Sequence, residues 1–288
     1  MTINRTLPLS LKNIAIGISV LAHCFAAGLV GAAEMDWSRH RLIAHALGGI
    51  DGKIYTDSKD ALELNYRNGH RLFEVDLILT RDNVLVARHD WSEGFTKALD
   101  QAIVDEGGIP NESVFRSLKI NYKYDPLTME DLAKVMQSNA DIYLITDTKS
   151  VTVQAVEEQF ALLVATVRKV DERLLARIIP QIYNQGMLPA VKKSFDFENI
   201  IYTLYQTSDG DESVLRFCLE NRIHAVAMSP SRYSKAFCAA LRTNNIRVYV
   251  HTINSPDEAE RFFEDGVFGL YTDFLVPADV NAMVRKVH

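Results

Sequence analysis

From Arg41 onward the chain alternates between two patterns, short β-branched apolar runs and longer segments whose apolar residues recur at i, i+3 and i+4. The first marks strands buried on both faces, the second helices with one buried stripe. Strands are predicted at residues 42–45, 72–79, 142–147, 178–183, 200–205, 225–228, 248–253 and 269–272. Helices are predicted at 58–68, 128–138, 151–170, 212–221, 233–244 and 256–265. Boundary signals agree: Thr128 has Asp131 three residues on, Ser255-Pro256 suits a helix start, and Gly69 and Gly266 fall where helices end.

Eight strand–helix units in succession predict a closed (β/α)8 TIM barrel, a single domain over residues 38–288. An open doubly wound sheet would carry a GxGxxG fingerprint after its first strand, and Gly48-Gly49 followed by Gly52 does not make one. One segment breaks the alternation. Residues 92–127 are polar, contain Gly107-Gly108, Pro110, Asn111, Ser113, Asn121 and Tyr122, and follow an extra apolar run at 84–89. So long a connection reads as a cap-like insertion after the second strand region, overhanging the barrel mouth.

The buried runs carry unusual charge. In the second run Glu74 and Asp76 alternate with Phe73, Val75 and Leu77, so both acids face the barrel interior while the apolar set faces the helices. Two carboxylates there repel each other and lose their hydration. A hard divalent cation removes both costs, and oxygen ligands select Mg2+ or Ca2+. Asp147 and Lys149 repeat the spacing: Asp147 becomes a third ligand, and Lys149 a contact for a phosphate oxygen or for transition-state charge. Plain ion pairing of these groups is the alternative. His45 and His89 end their runs, which suits general acid–base catalysis at the same mouth. Gln181 and His251 also sit late in their strands, where a barrel places its active residues.

Charge narrows the partners. The net charge is −6 and no basic patch or aromatic-basic alternation occurs, which argues against nucleic acid. The first 33 residues stand apart from the fold. Arg5 and Lys12 are their only charged side chains, and residues 13–33 end in Gly31-Ala32-Ala33. That matches a secretory signal cleaved before Glu34, and the apolar stretch is also long enough for an uncleaved membrane anchor. Cys24 is a poor lipid-attachment site because His23 precedes it. The expectation is export, to a bacterial periplasm or outside the cell, with membrane association if 13–33 is retained. Cys218 and Cys238 fall in predicted helices and read as small buried apolar residues rather than a disulfide.

The order of His45 with its glycine-rich loop, Glu74-x-Asp76, Thr80-x-Asp82, His89-Asp90 and Asp147-x-Lys149 resembles the glycerophosphodiester phosphodiesterases, among the phosphatidylinositol-phospholipase-C-like barrels. Gln181, the stretch Val250 to Asn254 and the stretch Gly269 to Asp273 extend the resemblance. It implies a (β/α)8 barrel, one divalent cation and two catalytic histidines that cleave a phosphodiester to an alcohol and a phosphomonoester. His45 and His89 would be the acid/base pair, Glu74, Asp76 and Asp147 the metal ligands, and Lys149 a phosphate contact. The chain departs from the family in three places. His-Arg-Gly is replaced by His45-Ala46-Leu47-Gly48-Gly49, Pro-Glu-Asn-Thr by Tyr55-Thr56-Asp57-Ser58, and the third acid, usually Glu, is Asp147. The expectation is a divergent member whose phosphate grip is rebuilt through Arg88 or Lys53. Its substrate would be a small-molecule or lipid-derived phosphodiester. Two alternatives are release of a phosphoinositide or sphingolipid head group as a cyclic phosphate, and a non-catalytic binding barrel.

Overall fold

The computed structural model describes residues 37–101 and 108–287. The signal, anchor and Cys24 readings, which concern residues 1–33, lie outside the described residues. Eight parallel strands close into a barrel in the order β1 (Leu42–Ala44), β2 (Leu72–Leu79), β4 (Tyr143–Asp147), β5 (Ile178–Ile182), β6 (Ile201–Thr203), β7 (Ala225–Met228), β8 (Arg247–Val250) and β9 (Gly269–Thr272), with β9 paired back to β1. Each predicted strand is present, most shortened by one to three residues where the chain turns into the loops of the mouth.

The helices form the outer ring: α1 (Lys59–Arg67), α4 (Met129–Ser138), α5 (Val153–Val170), α6 (Met187–Ser194), α7 (Asp211–Asn221), α8 (Lys235–Thr243), α9 (Pro256–Glu264) and α10 (Pro277–Val287). Side chains of Ser58, Ser234 and Ser255 accept from the third backbone N–H beyond them, and Thr128 with Asp131 forms a reciprocal capping box.

Period-two alternation sorts the strand residues into two cores. Phe73, Val75, Leu77, Leu144, Val226 and Val250 pack outward with the helices. Ile43, Leu72, Tyr143, Ile145, Ile179, Ile201, Ala227, Tyr249 and Tyr271 fill the barrel interior, closed at one end by Trp37 stacked on Tyr249. The interior is a packed core, as the tilt of eight strands requires.

The run that ends in His89 is not a barrel strand. The short β3 (Leu85–Ala87) pairs antiparallel with the outer half of β2, Leu77–Leu79. A turn at Thr80–Asn83, in which Thr80 Oγ1 accepts from Val84 N at 3.0 Å and Asn83 takes a left-handed φ of 60°, sends the chain back. His89 therefore reaches the mouth on a hairpin rather than on the barrel wall.

The insertion holds α2 (Glu93–Ala98) and α3 (Glu112–Ser117). Its Leu99, Ile120 and Tyr124 are buried with Ile50 of the β1–α1 connection and Ala61 of α1. That apolar contact draws the segment down beside the loop after His45, so it braces the wall of the mouth. Among the described residues none of 92–127 lines the central cavity itself, and Phe95 of α2 stacks on His89 at 5.2 Å.

His70, just before β2, shows the cost of a buried base. Its Nε2–H donates to Leu275 O at 3.0 Å while Nδ1 has no partner. Burial lowers its pKa to about 4. The unfolded chain takes up a proton near pH 6.5 that the folded chain refuses, so this residue's share of stability is present above pH 6.5 and lost on the way down to about 4. His70→Gln keeps the donor without the titration. In urea melts it should be less acid-sensitive than the parent, the difference growing to about 3 kcal/mol at pH 4. Parallel curves for the two proteins would refute this account.

Candidate active site

The interior alternation builds the site. Two residues beyond each interior apolar residue, at the carboxyl end of its strand, stands a polar one on the same face: His45 after Ile43, Glu74 and Asp76 after Leu72, Asp147 after Ile145, Gln181 after Ile179, Thr203 after Ile201, His251 after Tyr249 and Asp273 after Tyr271. They surround a cavity of about 180 Å³ lined by His45, Glu74, His89, Asp147, Lys149 and His251, among others.

One carboxylate oxygen each of Glu74, Asp76 and Asp147 lies within 4.8 Å of the others, and all three residues are buried. Glu74 Oε2 accepts from Ala46 N at 2.7 Å, but Oε1 has no partner. Asp76 Oδ2 has none either, and Oδ1 has only the Lys149 ammonium beside it. Buried, unpartnered carboxylate oxygens converging on one point are the donor set of a hard cation. Burial and the neighbouring charge of Asp76 push the Glu74 carboxyl well above the carboxylate range. Lys149 Nζ lies 2.6 Å from Asp76 Oδ1 and 2.6 Å from Asp147 Oδ2. Burial opposes its charge, yet Asp76, Asp147 and Glu74 together raise its pKa. Its backbone is left-handed, with φ 58°, a strained setting for a non-glycine residue. Lys149 thus lines the cavity, with its ammonium held by the acids.

Each histidine is oriented by a carboxylate. His45 Nδ1 lies 2.9 Å from Asp273 Oδ1, and His89 Nδ1 lies 2.8 Å from Asp90 Oδ2. A carboxylate accepts, so each Nδ1 carries the proton and Nε2 is left for the cavity. Burial disfavours the His45 imidazolium. The hydrogen bond to Asp273 and the charges of Glu74, Asp273 and Asp76 outweigh it and raise its pKa to about 9. Asp273 is itself fixed: Asn254 Nδ2 donates to its Oδ2 at 2.7 Å, and its own N–H donates to Asn254 Oδ1 at 2.8 Å. The Tyr55 ring stands edge-on to both imidazoles, at 4.8 Å from His45 and 5.4 Å from His89.

The loop after His45 explains one departure from the family pattern. Ala46 (φ 49°) and Leu47 (φ 64°) turn left-handed and are fully buried, which leaves no room for an arginine. Gly48 (φ 89°) packs so tightly that an added Cβ would lie 2.2 Å from Asn65 Nδ2. Asn65 in turn donates to Leu47 O, Gly49 O and Ala61 O, at 3.3, 3.1 and 2.9 Å.

The structure brings His45, His89, Glu74, Asp76, Asp147, Lys149, Gln181 and His251 together. Gln181 Oε1 accepts from Tyr271 OH at 3.0 Å, so its amide donors remain available. Burial and the nearby His45 lower the His251 pKa to about 4, leaving it neutral. Arg88 is a correction. It does not line the cavity; its guanidinium is bonded to Gln101 Oε1, Thr96 Oγ1 and Asp90 O, within the insertion. Neighbours in an extended chain point to opposite sides, so with His89 facing the cavity Arg88 cannot. Lys53 is exposed and also stands outside the cavity lining. Sequence reasoning missed Asp273, Asn254, Tyr55 and Asn65 as site residues. Only Asp273 carried a signal, two residues past an interior tyrosine.

Comparison with known proteins agrees with this geometry. The model of the glycerophosphoryl diester phosphodiesterase family matches residues 49–276. The uncharacterized protein YqiK of Bacillus subtilis is 22% identical over 259 residues, spanning 85% of this chain and 99% of that protein. A phosphodiesterase from Oleispira antarctica, solved in complex with the product sn-glycerol-3-phosphate, shares the fold with a TM-score of 0.67 at 17% identity, covering 85% of this chain and 97% of its own. A putative glycerophosphodiester phosphodiesterase from Galdieria sulphuraria does so with a TM-score of 0.69 at 12% identity, over 85% and 97%. A closed barrel of eight parallel strands, within a family match over most of the chain, makes this protein a member of the glycerophosphoryl diester phosphodiesterase family of phosphoric diester hydrolases.

Proposed function

We propose that the protein cleaves glycerophosphodiesters or related envelope phosphodiesters to an alcohol and a phosphomonoester, with one divalent cation, Mg2+ or Ca2+, held by Glu74, Asp76 and Asp147. The observation that carries this reading is the pairing of that triad with two imidazoles whose Nδ1 atoms are both bonded to carboxylates. One imidazole Nε2 takes the proton of the attacking hydroxyl or water, and the other gives a proton to the leaving oxygen. Lys149 and Gln181 supply N–H donors for phosphoryl oxygens, and neutral His251 adds a wall that bears no charge. A cation held by the triad would balance the negative charge that develops on phosphorus-bound oxygens. Export is part of the proposal and rests on the pattern of residues 1–33.

A second reading, release of the head group from a membrane phospholipid or sphingolipid, draws on the rim of the mouth. Exposed Ile54, Val151, Val153, Tyr205 and Phe274 follow β1, β4, β6 and β9 at their carboxyl ends. Turnover of glycerophosphocholine and glycerophosphoglycerol, measured beside phosphatidylinositol in vesicles, tests both readings. The first expects hydrolysis of the soluble diesters, stopped by EDTA and restored by Mg2+ or Ca2+. Full activity in EDTA would sink the metal-dependent mechanism, and turnover of vesicle lipid alone would replace the first reading by the second.

A further inference from the structure

At the end of the barrel opposite the site, three arginines converge on a cavity of about 370 Å³, larger than the catalytic one. Arg41 precedes β1, Arg247 opens β8 and Arg242 lies in the last turn of α8. Along β8 this lies about 13 Å from His251, four residues at strand rise. Among the described residues no acid lines the cavity, although the chain has 37 acids to 31 basic residues.

The guanidiniums are held in place by apolar and backbone groups. Arg41 Nη1 donates to Phe268 O at 2.9 Å, and its guanidinium lies over the Phe268 ring at 4.9 Å. Arg247 lies over the same ring at 5.1 Å. Arg242 packs on Gly266, where an added Cβ would lie 2.2 Å from its Nη1. Burial lowers the Arg41 pKa. Three other arginines are paired with acids, Arg71 with Asp141, Arg116 with Asp131 and Arg232 with Asp211. Three like charges on one apolar cavity, with no carboxylate in its described lining, form a standing anion site, because planar guanidinium forks match phosphate oxygens two at a time.

We propose that this cavity binds a phosphate group, with Phe263, Val267 and Val284 accepting an apolar chain attached to it. A phosphomonoester, near two negative charges, balances three guanidiniums better than a carboxylate does.

The test is calorimetric titration of the full chain in EDTA with hexyl phosphate and, separately, inorganic phosphate, beside Arg242→Gln and the double variant Arg242→Gln/Arg247→Gln. Hexyl phosphate should bind saturably. The double variant should weaken it at least about tenfold, the single variant less, with phosphodiester hydrolysis within about twofold of the parent. Weaker binding of inorganic phosphate supports a lipid-derived ligand, and equal binding supports the same site filled by free phosphate. No saturable binding, or equal affinity in folded Arg242→Gln and the double variant, would overturn the proposal; the latter would place the anion at the catalytic mouth.

Discussion

Asp273→Asn should lower kcat on a phosphodiester by 10²–10⁴-fold, on the order expected when a catalytic imidazole loses its orienting carboxylate, with KM nearly unchanged. Asp273 touches His45 from the side away from the cavity, and it accepts the Nδ1 proton that keeps Nε2 free. An asparagine can present either oxygen or N–H2 to that nitrogen. Asn254 already donates to one oxygen of Asp273 and accepts from its backbone N–H, so the new amide must give up one favourable contact. Where its N–H2 turns to His45, the imidazole takes the opposite tautomer. The loss of a negative charge also removes one of the terms that hold the His45 pKa up at about 9. Cation affinity, measured by calorimetry, should barely move, because Asp273 is not among the three converging acids. A kcat within threefold of the parent would mean that His45 needs no such partner.

Asp273 also marks the limit of what could be read from the chain. Strand periodicity made the barrel legible, and with it several site residues that stand two places beyond an interior apolar one: Glu74 beyond Leu72, Asp147 beyond Ile145, His251 beyond Tyr249. Residues whose roles depend on partners far away in sequence were not legible. Asn254 matters because it meets Asp273, and Asn65 because it closes the loop after His45. Tyr55 matters because two imidazoles flank it. None of these contacts leaves a local pattern. Arg88 failed for the opposite reason. It is next to His89 in sequence, and alternation turns it to the other side. The packing of the insertion on Ile50 and Ala61 was not legible because its apolar residues are scattered.

The largest change is expected from Lys149→Met. Its ammonium bridges Asp76 and Asp147, at 2.6 Å from each, in a site where three buried carboxylates converge. Methionine keeps the length of the side chain and removes the charge. Without a cation the variant leaves Asp76 and Asp147 without the ammonium that bridges them, and breaking a buried pair in this way costs about 3–5 kcal/mol. Thermal melting in EDTA should therefore show a clear fall in Tm. Mg2+ or Ca2+ should restore most of it, because a divalent ion supplies the balance that the ammonium no longer gives. Cation affinity should rise in the variant, since no ammonium has to be displaced from Asp76 and Asp147 before the ion binds. Turnover should fall even at saturating cation, since a donor to the phosphoryl group is gone. Added cation thus restores stability without restoring turnover, a result that loss of fold alone cannot produce. A variant as stable in EDTA as the parent, with unchanged cation affinity, would show that Lys149 and the cation do not share those carboxylates.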